Sequence, residues 1–316
     1  MPDARVRPYQ EHVVATFDAA GLDAVDQVDE SVAPTSVWTD AWRNLRRRVL
    51  FWVAAGLIVL VVTAAVAPGL FTSLDPRFCE LGNSLRGPTD GHPFGFDRQG
   101  CDIFARTVYG ARASVAVGVL TTLMVVVVGG IVGAVAGFYG RWFDALLSRV
   151  TDIFFAVPFV LAAIVVMQMF KDNRSVLTVV LVLGLFGWPQ LARVTRGAVM
   201  AVKHADFISA AKALGATRAG TLVRHVVPNA SAPVIVTATV ALGTYIVAEA
   251  TLSFLGIGLP PQITSWGADI AKAQASLRTR PEVLFYPAGA LALTVLSFIM
   301  MGDVVRDALD PKARKR

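Results

Sequence analysis

The sequence predicts an all-α integral membrane protein, and three observations carry that prediction. Hydrophobic residues make up 55% of the 316 residues and charged residues only 16%, against about 25% charged in an ordinary soluble domain. Six apolar segments approach the roughly 20 residues that a helix rising about 1.5 Å per residue needs to cross a hydrocarbon core about 30 Å thick. Lysine and arginine bunch near the ends of those segments. So little charge cannot coat a water-facing surface of this size, which disfavours a soluble enzyme, a disordered chain and a nucleic-acid binder. The net charge of +6 then marks cytoplasmic loops rather than a nucleic-acid partner. Two cysteines are too few for a disulfide-built scaffold.

Along the chain, residues 1–35 come first. Asp3, Glu11, Asp18, Asp23, Asp26, Asp29 and Glu30 outnumber Arg5 and Arg7 there, and no long apolar run appears. This composition reads as an acidic cytoplasmic tail without a fold of its own. Residues 36–48 punctuate Arg43, Arg46, Arg47 and Arg48 with Val37, Trp42 and Leu45, which suits a basic amphipathic helix lying at the membrane surface. The expected spans are 49–70, 113–136, 153–170, 176–191, 230–252 and 288–305. The first ends in Ala65-Val66-Ala67, which imitates a cleavage site, but its apolar run exceeds the roughly 7–15 residues of a signal peptide and is read as uncleaved. The fourth is marginal because Trp188 and Pro189 interrupt it, so a kinked helix is expected and a five-span variant stays open through it. Residues 49–112 thus hold the first span and a long extracytoplasmic loop, 113–305 a core of five spans, and 306–316 a basic tail.

Orientation follows from the cations. The arginine cluster before the first span puts the N-terminus in the cytoplasm, and six spans return the C-terminus there, beside Lys312, Arg314, Lys315 and Arg316. The connection after the fourth span also falls inside, with Arg193, Arg196, Lys203, Lys212, Arg218 and Arg224. Lys171 and Arg174 in a short outer turn, and Arg77, Arg86, Arg98 and Arg106 in the long outer loop, fit less well.

The inner loop 203–229 is the most informative stretch. Asp206 is placed to cap a helix start. Phe207, Ala210, Ala211 and Leu214 then recur at i, i+3, i+4 and i+7, which is one helix face. Gly215 supplies a stop, Thr217 caps a second short helix, and that helix is expected to end by Pro228. The result is a helix–glycine–helix unit with an apolar, small-residue face. Such a face either packs on the protein's own helix ends or docks in a groove on a partner.

These residues resemble a known family. Ser209-Ala210-Ala211, then Gly215, then Pro228 is similar to the EAA loop of bacterial ABC importer permeases, with Ser209 in place of the usual Glu. His92-Pro93-Phe94-Gly95 with Asp97, Gly100 and Asp102, followed by Tyr109-Gly110-Ala111-Arg112, resembles the segment before the second span of dipeptide and oligopeptide permeases. Gly137 to Asp144, with Arg149, Asp152 and Pro158, resembles their second inner turn. Glu249 to Gly258 with Trp266-Gly267, and the tail Gly302-Asp303, Arg306-Asp307 and Asp310-Pro311, resemble the C-type subunit. The likeness runs from about Ser36 to Pro311.

The resemblance implies the six-helix type I importer fold and a transmembrane subunit that moves di- or oligopeptides into the cytoplasm. It implies a B-type permease partner, two ATPase domains docked on the inner loops and an extracytoplasmic peptide-binding protein, all at the bacterial inner membrane. Asp206, Phe207, Ala210, Ala211, Leu214, Gly215, Arg218, Arg224 and Pro228 would form the element coupled to the ATPases. ATP and magnesium would belong to those partners. The chain has no G-x-x-x-x-G-K-[ST] stretch to cradle phosphates, so no cofactor and no catalytic residue is assigned to it. Nickel or glutathione importers of the same family are the alternative.

Other residues keep two readings. Glu249 is the one carboxylate well inside an expected span, and with Ser253 it either lines the pathway, braces an outer gate or bonds a neighbouring helix. Cys79 and Cys101 in the outer loop either form a disulfide or stay free. His12, His92, His204 and His225 follow no metal-ligand spacing. Gly129, Gly130, Gly133 and Gly137 serve close helix packing or thin a pore wall. Pro260-Pro261 and Trp266 end the fifth span and anchor a loop at the interface. A secondary transporter would need inverted repeats, which are not seen. An intramembrane enzyme would need Ser253 and His225 together, and they fall at opposite ends of one span.

Overall fold

The structure is a computed structural model that describes residues 37–309. The acidic tail and most of the basic tail, Lys312 to Arg316 included, lie outside the described residues. Helix α1 (Val37–Leu45) is amphipathic and leads through Arg46–Arg48 into α2 (Val49–Val66). The chain then crosses a capping loop to α3 (Ile103–Tyr139), turns into α4 (Arg141–Ala156) and α5 (Phe159–Met169), and returns as α6 (Val176–Val202). The short α7 (Asp206–Ala213) and α8 (Arg218–Thr221) precede α9 (Val227–Phe254), and α10 (Trp266–Ala273) precedes α11 (Glu282–Leu309). Among the described residues the regular structure is all helical, with only isolated backbone bridges such as Phe96 to Asp102 in the capping loop.

Among the described residues five helices are long and apolar enough to cross a membrane, and the pair α4–α5 makes a sixth if it counts as one span. The interrupted span is the third, not the fourth. The α6 segment runs unbroken through Trp188 and the buried Pro189 for 27 residues. The third expected span is the broken one, bent by 81° between α4 and α5. Pro158 has no N–H to continue a helix, and the residue before a proline is driven from the helical region. Val157 is extended accordingly, at φ −104° and ψ 124°.

Helix α3 is far longer than its expected span, 37 residues, because a cap starts it outside the apolar run. Asp102 Oδ1 accepts from the Ala105 N–H at 2.6 Å, satisfying one of the first-turn donors. The core sits around α6. Half of its membrane-length window is buried, against 11% for α2, so α6 is central and α2 faces lipid. The glycine stripe of α3 packs directly on α6. A Cβ at Gly129 would stand 2.8 Å from the Trp188 carbonyl oxygen and one at Gly137 2.9 Å from that of Arg196, while Gly133 lies even closer under Ala192. Gly130 faces open space. The stripe therefore serves helix packing, and the pore-wall reading falls.

Two joints close the bundle at its ends. On the cytoplasmic side Arg48 Nη1 donates to Asp307 of α11 at 2.5 Å. On the outer side Cys79 and Cys101 form a disulfide across the capping loop. Phe94 of that loop stacks on Tyr286 of α11 with ring centroids 3.8 Å apart. Trp266 is buried beneath this cap and its indole N–H donates to the Thr107 carbonyl at 2.8 Å. It is an interior anchor, not an interfacial one, because its only polar atom finds a backbone partner inside the protein.

Candidate functional site

The cytoplasmic loop is built as two capped turns hung from one apolar pin. Ala205, extended at ψ 149°, occupies the cap position of α7. Asp206 is therefore the first helical residue rather than the cap, where its carboxylate still faces the positive end of the helix. The C-terminus of α7 is closed by a Schellman arrangement. The Gly215 N–H bonds the Lys212 carbonyl at 3.0 Å and the Ala216 N–H bonds that of Ala211 at 3.1 Å. Gly215 sits at φ +88°, a conformation only glycine adopts at no steric cost. Thr217 Oγ1 then accepts from the Gly220 N–H at 3.1 Å and starts α8.

Pro228 does not end this second helix. A wider turn over Leu222–Val226 carries the chain into α9, with the Val227 N–H reaching back to the Leu222 carbonyl. In a regular helix the Pro228 ring would clash with the carbonyl four residues earlier, and the widened turn makes room for it. Helix α8 and the fifth span are thus one continuous rod.

Ile208 is the pin. It is fully buried against Val199 of α6, Leu222, Val226 and Ala230. The predicted face points the other way. Phe207 is 47% exposed and Leu214 89%; Ala210 is exposed and Ala211 half-buried. Arg218, Arg224 and Pro228 are exposed beside them. Among the described residues that face does not pack on the protein's own helix ends. Ile208 escaped the sequence reading because it falls between positions of the i, i+3, i+4 series; a buried β-branched residue on the opposite face was the available signal.

Around the loop, ion pairs fix α4 to α6. Asp144 receives Arg196 through both carboxylate oxygens, with Arg196 Nη2 to Oδ2 at 2.9 Å. Arg193 Nη2 donates to Asp152 at 2.8 Å and its guanidinium lies 4.2 Å from the centre of the Phe155 ring. Lys203 Nζ donates to the Gly137 carbonyl at 2.9 Å, tying the root of the loop to the end of α3. Above these, the break at Pro158 opens a cleft of about 570 Å³ lined by Phe155, Pro158, Phe159, Gln190, Thr244 and Tyr245 among others.

Glu249 and Ser253 do not line that cleft. Both are buried in α9. Ser253 Oγ donates to Glu249 Oε1 at 2.7 Å and accepts from the Leu259 N–H at 3.2 Å. Glu249 Oε2 makes no further close hydrogen bond among the described residues, with the Ser114 and Ser265 hydroxyls beside the carboxyl. The pair therefore joins α9 to the turn that follows it. On the outer surface Arg106 of α3 binds Asp269 of α10, its Nε lying 3.0 Å from Oδ1. Burial pushes the Asp269 carboxyl up from its ordinary value, against the pull of Arg106. His92 Nδ1 lies 2.7 Å from Asp102 and shapes the loop. Among the described residues no three metal-ligating side chains gather.

A multi-pass helical bundle with an exposed apolar helix on its cytoplasmic loop has the architecture of a transporter permease subunit. The chain belongs to the family of binding-protein-dependent transport system inner membrane components, whose sequence pattern matches residues 129–315. It is 36% identical over 299 residues to the oligopeptide transport system permease protein OppC of Bacillus subtilis, covering 95% of this chain and 97% of that one. It is 35% identical over 286 residues to the dipeptide transport system permease protein DppC of Alkalihalophilus pseudofirmus, covering 90% and 93%. It is 36% identical over 301 residues to the glutathione transport system permease protein GsiD of Shigella sonnei, covering 95% and 97%. The chain is thus an ABC-importer permease of the peptide family and a multi-pass protein of the inner membrane.

Proposed function

We propose that this chain is the C-type half of a permease pair that imports short peptides, glutathione included. The relatives are named for oligopeptide, dipeptide and glutathione transport, and glutathione is itself a tripeptide. The chemistry they share is a peptide, so the proposal stops at that class. The cargo is delivered by an extracytoplasmic binding protein, which makes the finer selection.

The observation that carries the coupling role is the outward face of α7. Phe207 and Leu214 stand in water on a helix whose other face is pinned by Ile208. Exposing two large apolar side chains on a rigid cytoplasmic helix is unfavourable unless a partner covers them. An ATPase subunit is that partner. Asp206, Ala210, Ala211, Arg218 and Arg224 flank the contact, and Gly215 with Pro228 holds the angle between α7 and the rod of α9. ATP-driven movement of the ATPase is passed through this rod to the cleft at Pro158 as a rigid-body rotation. ATP and magnesium stay on the partner subunits.

In this scheme the Phe155–Tyr245 cleft faces the B-type partner and forms one wall of the pathway. Glu249 and Ser253 brace the outer end of α9 rather than touch cargo. The test is reconstitution of this chain with a cognate second permease, ATPases and binding protein. ATP-dependent uptake of labelled dipeptide or glutathione is expected. Uptake independent of ATP, or of a non-peptide solute alone, overturns the proposal.

A further inference from the structure

A cavity of about 230 Å³ lies under the outer cap, away from the coupling loop and the cleft. Ile103 of α3 and Val283 of α11 supply its apolar floor, while Asp97, Arg98, Asp269 and Lys272 supply charge. Part of that charge is already spent. Asp97 Oδ1 accepts from the N–H groups of Gln99 and Cys101 at 2.7 and 2.9 Å. Arg106 is used on both sides, donating to Asp269 Oδ1 and to the Pro76 carbonyl at 3.2 Å.

One oxygen of Asp269 and the cations Lys272 and Arg98 remain. Asp269 Oδ2 is buried and has no hydrogen-bond partner among the described residues, an unfavourable condition for a buried carboxylate oxygen. Lys272 has no hydrogen bond and no ion pair among the described residues, and it is exposed at the same cavity. The two stand three residues apart on α10, a spacing that puts side chains on one helix face about 5–6 Å apart. A simple cation would satisfy Asp269 but would be repelled by Arg106 and Lys272. A simple anion would satisfy Lys272 and Arg98 but leave Asp269 Oδ2 without a donor. A small solute with both an ammonium and a carboxylate answers both groups at once.

We propose that the cavity between Asp269 and Lys272 is a binding site for small amino-acid-type zwitterions, free amino acids or the ends of short peptides, on the extracytoplasmic face. The ammonium is held at Asp269 Oδ2 and the carboxylate at Lys272. The site stands on the charges of this chain and is independent of which cargo the importer carries. It is also distinct from the cleft at Pro158.

The test uses the full-length chain in lipid nanodiscs, with labelled L-alanine and L-alanyl-L-alanine as probes. Saturable binding of both is expected. N-acetyl-L-alanine, which lacks the ammonium, and L-alaninamide, which lacks the carboxylate, should each compete at least about tenfold more weakly. Lys272→Met should weaken probe binding by about tenfold or more with an unchanged melting temperature, since Lys272 makes no contact that holds the fold. Lys272→Arg should restore it. No saturable binding, equal competition by either analogue, or full binding by Lys272→Met overturns the proposal. An importer that transports peptide while this chain binds no zwitterion would sink the site and leave the transport role standing.

Discussion

Gly133 of α3 lies directly against Ala192 of α6, so close that a single added methyl would overlap the Ala192 carbonyl oxygen and the Thr195 Cβ. The contact repeats at Gly129 and Gly137 with four-residue spacing, matching the steps Trp188, Ala192 and Arg196 on α6. Two rows with the same spacing interlock along their length, and backbone approach takes the place of side-chain burial. Gly133→Ala is therefore expected to destabilise the bundle by about 1–3 kcal/mol through overpacking. Gly130→Ala, one turn position away in open space, should be neutral or slightly stabilising, since alanine favours the helix. Thermal unfolding of the two variants in the same detergent checks the contrast; equal melting temperatures would remove the packing account.

The two faces of α7 separate stability from coupling. Ile208→Ala empties a fully buried position and should cost about 2–5 kcal/mol. Leu214→Ala removes a side chain that is 89% exposed, so the melting temperature of the isolated chain should stay put. In the reconstituted importer the same Leu214→Ala change should uncouple ATP hydrolysis from uptake. Gly215→Ala should show both defects, because a left-handed backbone at φ +88° costs an alanine about 1–2 kcal/mol. Melting curves and transport-to-hydrolysis ratios on the three variants distinguish the roles.

Composition and periodicity carry the class of this protein unusually far, and the reasons are physical. A span is legible because hydrocarbon tolerates only long apolar helices, so 49–66 could be nothing else. The outward face of α7 is legible because its four positions keep helical spacing. The break at Pro158 was not, since a proline inside an apolar run signals either a kink or a continuous helix, and Pro189 in α6 gives the opposite outcome. Packing of α6 on the α3 glycine row is a tertiary condition that no local window contains. The Asp144–Arg196 and Arg106–Asp269 pairs span 52 and 163 residues, and only the folded chain brings them together. Trp266 misled for a related reason: tryptophan near an expected span end reads as interfacial until a cap is seen to cover it.

The disulfide gives the outer cap a testable redox dependence. Cys79 and Cys101 enclose a loop with a sequence separation of 22, and closing a loop of that order contributes roughly 3 kcal/mol in the chain-entropy account. Cys101 is buried and its N–H is held by Asp97 Oδ1, while Cys79 is exposed. Cys79→Ser should therefore loosen the cap more than the membrane bundle. Proteolysis of the loop after Leu70 should speed up in the variant, and in the parent after reduction, with the thermal unfolding of the helices little changed. Free thiols at both positions in unreduced protein, found by mass spectrometry, would dismiss the bridge.

Glu249 offers a clean choice between brace and pathway. Its Oε1 accepts from Ser253, and Ser253 in turn accepts from the Leu259 N–H, so the carboxyl anchors the turn that leaves α9 for the outer cap. Glutamine keeps an acceptor oxygen at the same reach, and Glu249→Gln should assemble, melt and transport like the parent. Leucine keeps the bulk and removes the acceptor. Glu249→Leu leaves the buried Ser253 hydroxyl without its partner and should cost about 1–3 kcal/mol, read as a lower melting temperature together with reduced uptake. If the carboxylate instead met cargo, Glu249→Gln would lose uptake at an unchanged melting temperature. Side-by-side melting and uptake assays on the two variants decide between a brace and a cargo contact.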